Sequence, residues 1–488
     1  MLTWLILIPV LASALIGLCK APARPTALAS AAATLVLGVA AVLSVVCCGH
    51  GDCLSTFMGQ EMQFSLRMPM SCAMLLLTVV VTFAAIYGMR TAQPDEARSW
   101  SVSTLLISAG ATGAFISDHV FAFFAFHELA LIPTFVMIGC YGRGERRTIA
   151  WRTTLYLGLA SMVLLAGLVL LCVEMNAMTF SAIAAKAYMG KLPESACLIS
   201  GLLLLGFGTL VSLFPFHSWA APAYASAPTP VAMLHAGVLK KFGLYGLFLI
   251  AYIFGPSVGK LFGCWNNLLL LLLLGNVLWV GYVAVSRTRL DDLLGNSSVM
   301  HMGYLFLAFA CYVASGGENM LAFKGAALLM VAHGLSIAML FLLTGQIESQ
   351  TRTLEINSLG GLARKLPLLG FLFGLAGMAS IGLPLLANFA GELSIFISCF
   401  QGWSPGEATG CCSWLGGLGP VQVTVVIALW GLVISAVYML RAFRNVFEGE
   451  VSSASDRATK LSCADIISAA LLGFLLLLLG VAPSLLII

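Results

Sequence analysis

Fourteen apolar runs follow one another along the sequence, separated by short polar stretches. A helix needs roughly 20 apolar residues to cross a hydrocarbon core about 30 Å thick. Inside that core every backbone N–H and C=O needs an internal partner, which leaves helices and closed barrels as the spanning structures. The runs show no strict alternation, so they read as helices. The fold class is therefore an all-α polytopic membrane protein with about 14 transmembrane helices. Spans 1 to 14 are placed at 1–19, 26–48, 68–89, 101–117, 119–141, 151–173, 196–218, 229–254, 261–285, 295–315, 320–346, 366–402, 421–445 and 463–487. Only 9% of the 488 residues are charged, against about 25% in a soluble domain. The first span has the length of a signal peptide but lacks a basic start, and reads as a retained helix.

Two spans carry internal punctuation. Span 7 contains Pro215 and runs into the Pro/Ala/Ser-rich segment 219–230, which reads as a loop. Span 12 is overlong and holds Gly382-Leu383-Pro384 in its middle. Proline removes a helix hydrogen bond, and a membrane tolerates open backbone only where protein or a wet cavity shields it. Interrupted helices at matching places in two halves mark an inverted-repeat transporter. Spans 4–8 and 9–13 are the two inverted five-helix repeats, with broken helices 7 and 12. The chain divides into residues 1–100 (helices 1–3), 101–254 (first repeat), 255–446 (second repeat) and 447–488 (helix 14).

The loops after odd-numbered spans hold seventeen Lys and Arg residues, among them Arg90 and Lys460. The even side holds five: Arg67, Lys186, Lys191, Lys260 and Lys324. The positive-inside rule puts the odd loops in the cytoplasm and both termini on the outer, periplasmic side. Of fourteen cysteines most sit singly in apolar segments, where a thiol behaves as a small hydrophobe. Cys47, Cys48 and Cys53 share one exterior loop, and Cys411 and Cys412 another, which leaves a disulfide open there. No phosphate-cradling loop, metal-ligand cluster or nucleophile motif stands out, and no loop is long enough for a soluble domain.

The remaining two of the 24 basic residues, Lys240 and Lys241, lie deep in span 8, and the clear deep carboxylates are Glu128 and Glu392. A charge at mid-bilayer costs about 2.5–3.5 kcal/mol on insertion scales, so such residues mark functional sites. Glu128 stands in FAFFAFHELALIPTF, where ionisation is costly without a cationic neighbour. His127 beside it points about 100° away on a helix and need not share its cavity. One of Lys240 and Lys241 is expected to face the interior, and burial makes a lysine's proton exchangeable. Glu392 follows the break in span 12. His301 and His333 are midspan relay candidates, since neutral imidazole passes a proton between its nitrogens. His217 and His235 flank the broken seventh span and are secondary candidates, with Lys240. Acids and bases alternating in low dielectric couple strongly, so a charge change at one end shifts the next.

These residues also carry a family resemblance. HELALIPTF, PFHSW…APTP…HAGVLKKFGLYG, SSVMHMGY, HGLSIAMLFLLTGQ and GLP…NFAGE occur in order, and the chain resembles the antiporter-like subunits of respiratory complex I (NADH:quinone oxidoreductase), specifically chain M, the counterpart of mitochondrial subunit 4. The resemblance implies a proton path through Glu128, Lys241, His301, His333 and Glu392. It implies FMN, iron–sulfur clusters and quinone in partner subunits, with no cofactor or metal in this chain. It also implies chains L and N as neighbours, a bacterial inner membrane, and no nucleic-acid partner. The acid at Glu392 is similar to chain M, where chains L and N usually carry Lys. A Mrp-type Na⁺/H⁺ antiporter or membrane-bound hydrogenase subunit shares the fold and most motifs, and a non-pumping structural arm segment is a second alternative. One departure stands out: the family's helix-7 lysine, five residues before the motif proline, is Leu210 here, and the polar residues of the following loop are Pro222 and Tyr224. Glu128 is then expected to be protonated at rest, or to be stabilised by Lys240, Thr209, Ser212 or a histidine.

Overall fold

The structure is a computed structural model that describes residues 1–48, 52–57, 60–66, 68–89, 94–402, 417–459 and 461–486. Each of the fourteen apolar runs contains a helix that begins or ends within a few residues of the expected place. Arg67, Arg90, Lys460, Cys411 and Cys412 lie outside the described residues, as do the side chains of Cys48 and Cys53.

Spans 1–3 are Leu2–Gly17, Ala23–Cys48 and Pro69–Tyr87. The loop between spans 2 and 3 holds an antiparallel hairpin, Asp52–Phe57 paired with Gln60–Ser65. Span 4 is Pro94–Ile116, and starts earlier than its apolar run because Asp95 and Glu96 occupy the first turn, where the helix dipole favours acids. Spans 5 and 6 are Val120–Tyr141 and Arg146–Met175. Span 10 (Leu290–Ala314) and span 11 (Met320–Thr351) form the centre, buried on nearly every face. A helix apolar all round belongs in such a place.

Both expected breaks are present. Span 7 stops as a helix at Leu210 (Ala196–Leu210), and its second part is the short helix Ala220–Ser226. The segment read as a loop is thus half helical, because its alanines favour a helix once Pro228 ends it. Span 12 divides into Pro367–Ile381 and Ala387–Ser398 around the left-handed residues Gly382 and Leu385.

Open backbone in a membrane needs partners, and buried side chains supply them. Asn276, wholly buried on span 9, donates from Nδ2 to the Ser212 carbonyl at 2.8 Å and accepts the Phe214 N–H at 2.8 Å. Trp219 adds a bond from its indole N–H to the Thr209 carbonyl at 3.1 Å. Asn276 sits in a π-turn, Gly275–Val280, between Val258–Leu274 and Gly281–Ser286. A second π-turn, His235–Leu239, interrupts span 8 between Thr229–Leu234 and Lys241–Phe254. π-Bulges are rare and concentrate at functional sites. Spans 13 (Pro420–Ala428 and Trp430–Phe447) and 14 (Cys463–Val481) close the bundle.

Candidate functional site

The site is built where the π-turn of span 8 meets spans 10 and 11. Residues 231–250 are all buried, so this stretch of span 8 has no lipid-facing side. Both lysines therefore lie inside, and the expectation that only one would do so is corrected. Lys240 N–H bonds the His235 carbonyl five residues back at 3.0 Å, the signature of the widened turn. Its ammonium stands 5.2 Å from the centre of the Tyr224 ring and 3.4 Å from Ser298 Oγ. Lys241 Nζ donates instead to the Ala236 carbonyl within the π-turn, at 2.7 Å.

From Lys240 the polar contacts run on. Ser298 Oγ lies 3.2 Å from His333 Nε2, and the His333 ring stacks on His301 at 5.3 Å between centroids. His301 faces two carbonyl oxygens, Ser297 through Nδ1 and Ser380 through Nε2, both at 2.8 Å. Ser380 is two residues before Gly382, where the first half of span 12 ends. A side chain at Gly382 would collide with Glu392 Oε2, so the carboxyl is packed into the break itself. Glu392 is 2% exposed, and its Oε1 has no hydrogen-bond partner within the protein. Asn388, one helical turn earlier, donates to Ser336 Oγ at 3.4 Å and ties this half-helix to span 11. Lysine, serine, two histidines, a carbonyl and a carboxyl thus follow one another from span 8 through spans 10 and 11 to span 12. Among them Ser298 and Asn388 were not picked out from the sequence. Ser298 lies inside the SSVMHMGY motif, three residues before His301, and that spacing on a helix was the available signal.

Glu128 stands apart. It lies on the outer wall of span 5, a third exposed, and accepts a hydrogen bond of 2.6 Å from Ser161 Oγ. His127 shares its surroundings: Nδ1 lies 3.4 Å from Glu128 Oε1. The ring is pinned by stacking on Phe242, 3.8 Å between centroids, and the flexible carboxyl arm folds back beside it. Serine and histidine are thus the polar groups beside Glu128, while position 210 holds a buried leucine. Phe242 directly follows Lys241 in the chain. His235 is 2% exposed, stacked on Trp219 at 5.6 Å and edge-on to Tyr224 at 5.1 Å, so it borders the lysines. His217 is half-buried and stacks on Phe214, 5.3 Å between ring centroids. Among the described residues no group of three or more His, Cys, Asp or Glu side chains is arranged to hold a metal.

Comparison with known proteins adds the relatives. Residues 117–406 match the family model for transmembrane NADH:quinone oxidoreductase/Mrp antiporter proteins. NAD(P)H-quinone oxidoreductase chain 4 of Microcystis aeruginosa is 32% identical over 387 residues, which are 78% of this chain and 66% of that protein. NADH-quinone oxidoreductase subunit M of Rickettsia conorii is 28% identical over 423 residues, 85% of this chain and 78% of that one. The matched part thus spans 58–68% of the length of the first four curated relatives. In three dimensions a chain of respiratory complex I from Thermus thermophilus superposes with a TM-score of 0.84 at 24% identity, over all of this chain and 96% of that one. A chain of the Mrp complex from a Dietzia species does so with a TM-score of 0.81 at 20% identity, over 100% and 95%. These superpositions establish a shared fold.

Proposed function

Because this chain belongs to the NADH:quinone oxidoreductase/Mrp antiporter transmembrane family, we propose that it is a proton-translocating membrane-arm subunit of a complex I-type NADH:quinone oxidoreductase. The observation that carries the reading is the unbroken contact from Lys240 through Ser298 and His333 to His301, ending at the break beside Glu392. Lys240, Ser298, His333, His301 and Glu392 can each donate or accept a proton. Lys241 is the switching site at the π-turn, the histidines are the bridge, and Glu392 is the far terminus. Electron transfer through FMN and iron–sulfur clusters to quinone takes place in partner subunits.

Glu128 supports a place beside other membrane-arm subunits. Ionisable groups within a membrane face protein or water rather than acyl chains, and Glu128 is a third exposed on the outer wall. A neighbour of the chain L or N type covers that wall, and Glu128 with His127 is the receiving end for its electrostatic signal. The domain limits at 254 and 446, the bacterial inner membrane and the periplasmic termini complete the proposal. The Mrp-type antiporter shares the fold, while the curated relatives of M. aeruginosa and R. conorii bear quinone-oxidoreductase names.

The test is proton-to-electron stoichiometry in membranes carrying Lys241→Ala or Glu392→Ala. Both variants are expected to assemble and to lose pumping. Unchanged stoichiometry in both would make this chain a structural segment of the arm.

A further inference from the structure

The cysteines are unevenly shared between the two ends of the bundle. Of fourteen, Cys19, Cys140 and Cys463 fall at the odd-loop end, and the other eleven stand in or beside even-numbered loops. The orientation read from the basic residues puts those loops outside, in a compartment where disulfides form and persist. Two thiols in contact at that end therefore meet oxidising conditions.

One such pair faces each other across two spans. Cys197 is the second residue of the helix Ala196–Leu210 in span 7, and Cys264 lies on span 9, in Val258–Leu274. The two thiols are within hydrogen-bond reach of each other, and Ser200 Oγ, one turn beyond Cys197, lies 4.0 Å from Cys264 Sγ. The backbones are fastened at the same place: the indole N–H of Trp265, the residue after Cys264, donates to the Cys197 carbonyl at 2.8 Å. A side chain at Gly201 would collide with the Trp265 ring, so the two helices approach closely here. A disulfide demands Cα atoms about 4.4–6.8 Å apart and Cβ vectors that converge, and contacting thiols on backbones tied in this way fit that demand. Both cysteines are free and exposed. Exposed Lys191 and Glu194 precede Cys197, and exposed Lys260 stands one turn before Cys264, so both thiols lie near the water line.

We infer that Cys197 and Cys264 form a disulfide that staples span 7 to span 9 at the outer rim of the bundle. The inference goes beyond proton translocation and rests on the proposed orientation of the loops. One thiolate attacks a protein disulfide of an oxidising thiol oxidoreductase on the outer side, and the second thiol then displaces the mixed disulfide. The oxidant's S–S bond breaks, the bond between Cys197 and Cys264 forms, and two electrons and two protons pass to the oxidant, which leaves as a dithiol. The staple joins the same two spans that Asn276 joins at the break in span 7. One fastening at the rim and one at the break fix the register of span 7 where its own helix is interrupted.

The test uses the assembled complex, with thiols trapped by acid and blocked with N-ethylmaleimide as the cells are opened. Mass spectrometry is expected to find the peptides of Cys197 and Cys264 joined, and the joined species to vanish on reduction with dithiothreitol and in Cys197→Ser. The thermal midpoint of the complex is expected to fall equally in Cys197→Ser, Cys264→Ser and the double variant, since groups that act as one unit are lost only once. Finding both residues singly alkylated in the wild type overturns the disulfide and leaves the orientation and the pumping role standing. Orientation is read separately: a membrane-impermeant maleimide is expected to reach exposed Cys19, in the loop after span 1, in inverted vesicles and not from outside intact cells. Labelling of Cys19 from outside overturns the orientation, and the oxidising setting of the pair with it.

Discussion

His301 Nε2 lies 2.8 Å from the carbonyl oxygen of Ser380, tying the middle of span 10 to the last turn before the break in span 12. The other ring nitrogen faces the Ser297 carbonyl at the same distance. A carbonyl only accepts, so a ring with one N–H satisfies one of these oxygens, and a ring with two satisfies both. The arrival of a proton at His301 therefore tightens the joint between the two spans. His301→Leu removes the tie and leaves the Ser380 oxygen buried without this donor, at a cost of about 1–3 kcal/mol. Reduced thermal stability of the assembled complex is expected, together with lost pumping. A variant as stable as the wild type would mean that the joint does not depend on the ring.

Ser298 joins two ionisable groups that do not touch each other. Its hydroxyl lies 3.4 Å from Lys240 Nζ and 3.2 Å from His333 Nε2. Ser298→Ala keeps the packing and breaks the link. A loss of about tenfold in pumping-coupled turnover is expected, equivalent to about 1.4 kcal/mol in the barrier. Residues acting in one network are non-additive. Lys240→Met combined with Ser298→Ala is therefore expected to cost little more than the worse single change. Additive losses, measured as initial pumping rates, would show that the two act separately.

Glu128 gives a third expectation. Ser161 holds its carboxyl at 2.6 Å, and His127 approaches at 3.4 Å. Ser161→Ala removes the shorter contact, and at a site one-third exposed the effect on stability stays near about 1 kcal/mol or below. The carboxyl infrared band that disappears in Glu128→Gln is expected to shift in Ser161→Ala. A band indifferent to Ser161 would remove serine from the groups that hold the Glu128 carboxyl.

How far the sequence reveals this site follows from the range of the forces involved. The spans are legible because apolar length is a local property, and the breaks because Pro215 and Gly382-Leu383-Pro384 act on their own helices. The buried ions are legible because charge in hydrocarbon is costly wherever it sits. Asn276 is different. Its value lies in reaching the backbone of span 7, some sixty residues earlier, and nothing nearby in the chain announces that. The π-turn at His235–Leu239 is likewise hidden, since its residues are compatible with an ordinary helix. The inward placement of both lysines depends on span 8 being enclosed on all sides, which is a property of the bundle. His127 reaches Glu128 because Phe242, from another span, fixes its ring.

Gly382 combines two constraints that a double substitution separates. Its backbone is left-handed, with φ of +83°, and the position of a Cβ there is occupied by Glu392 Oε2. Gly382→Ala therefore meets a conformational cost of roughly 1–2 kcal/mol for a left-handed L-residue, and a steric collision as well. Glu392 lies within the rigid half-helix Ala387–Ser398, so its carboxyl yields only by leaving the break. The single variant is expected to lower the thermal midpoint of the complex and to abolish pumping. Gly382→Ala with Glu392→Ala relieves the collision and keeps the conformational cost, so it is expected to recover part of the midpoint and none of the pumping. Full recovery of the midpoint would show that the left-handed turn is costless there. No recovery would show that the carboxyl does not occupy the break.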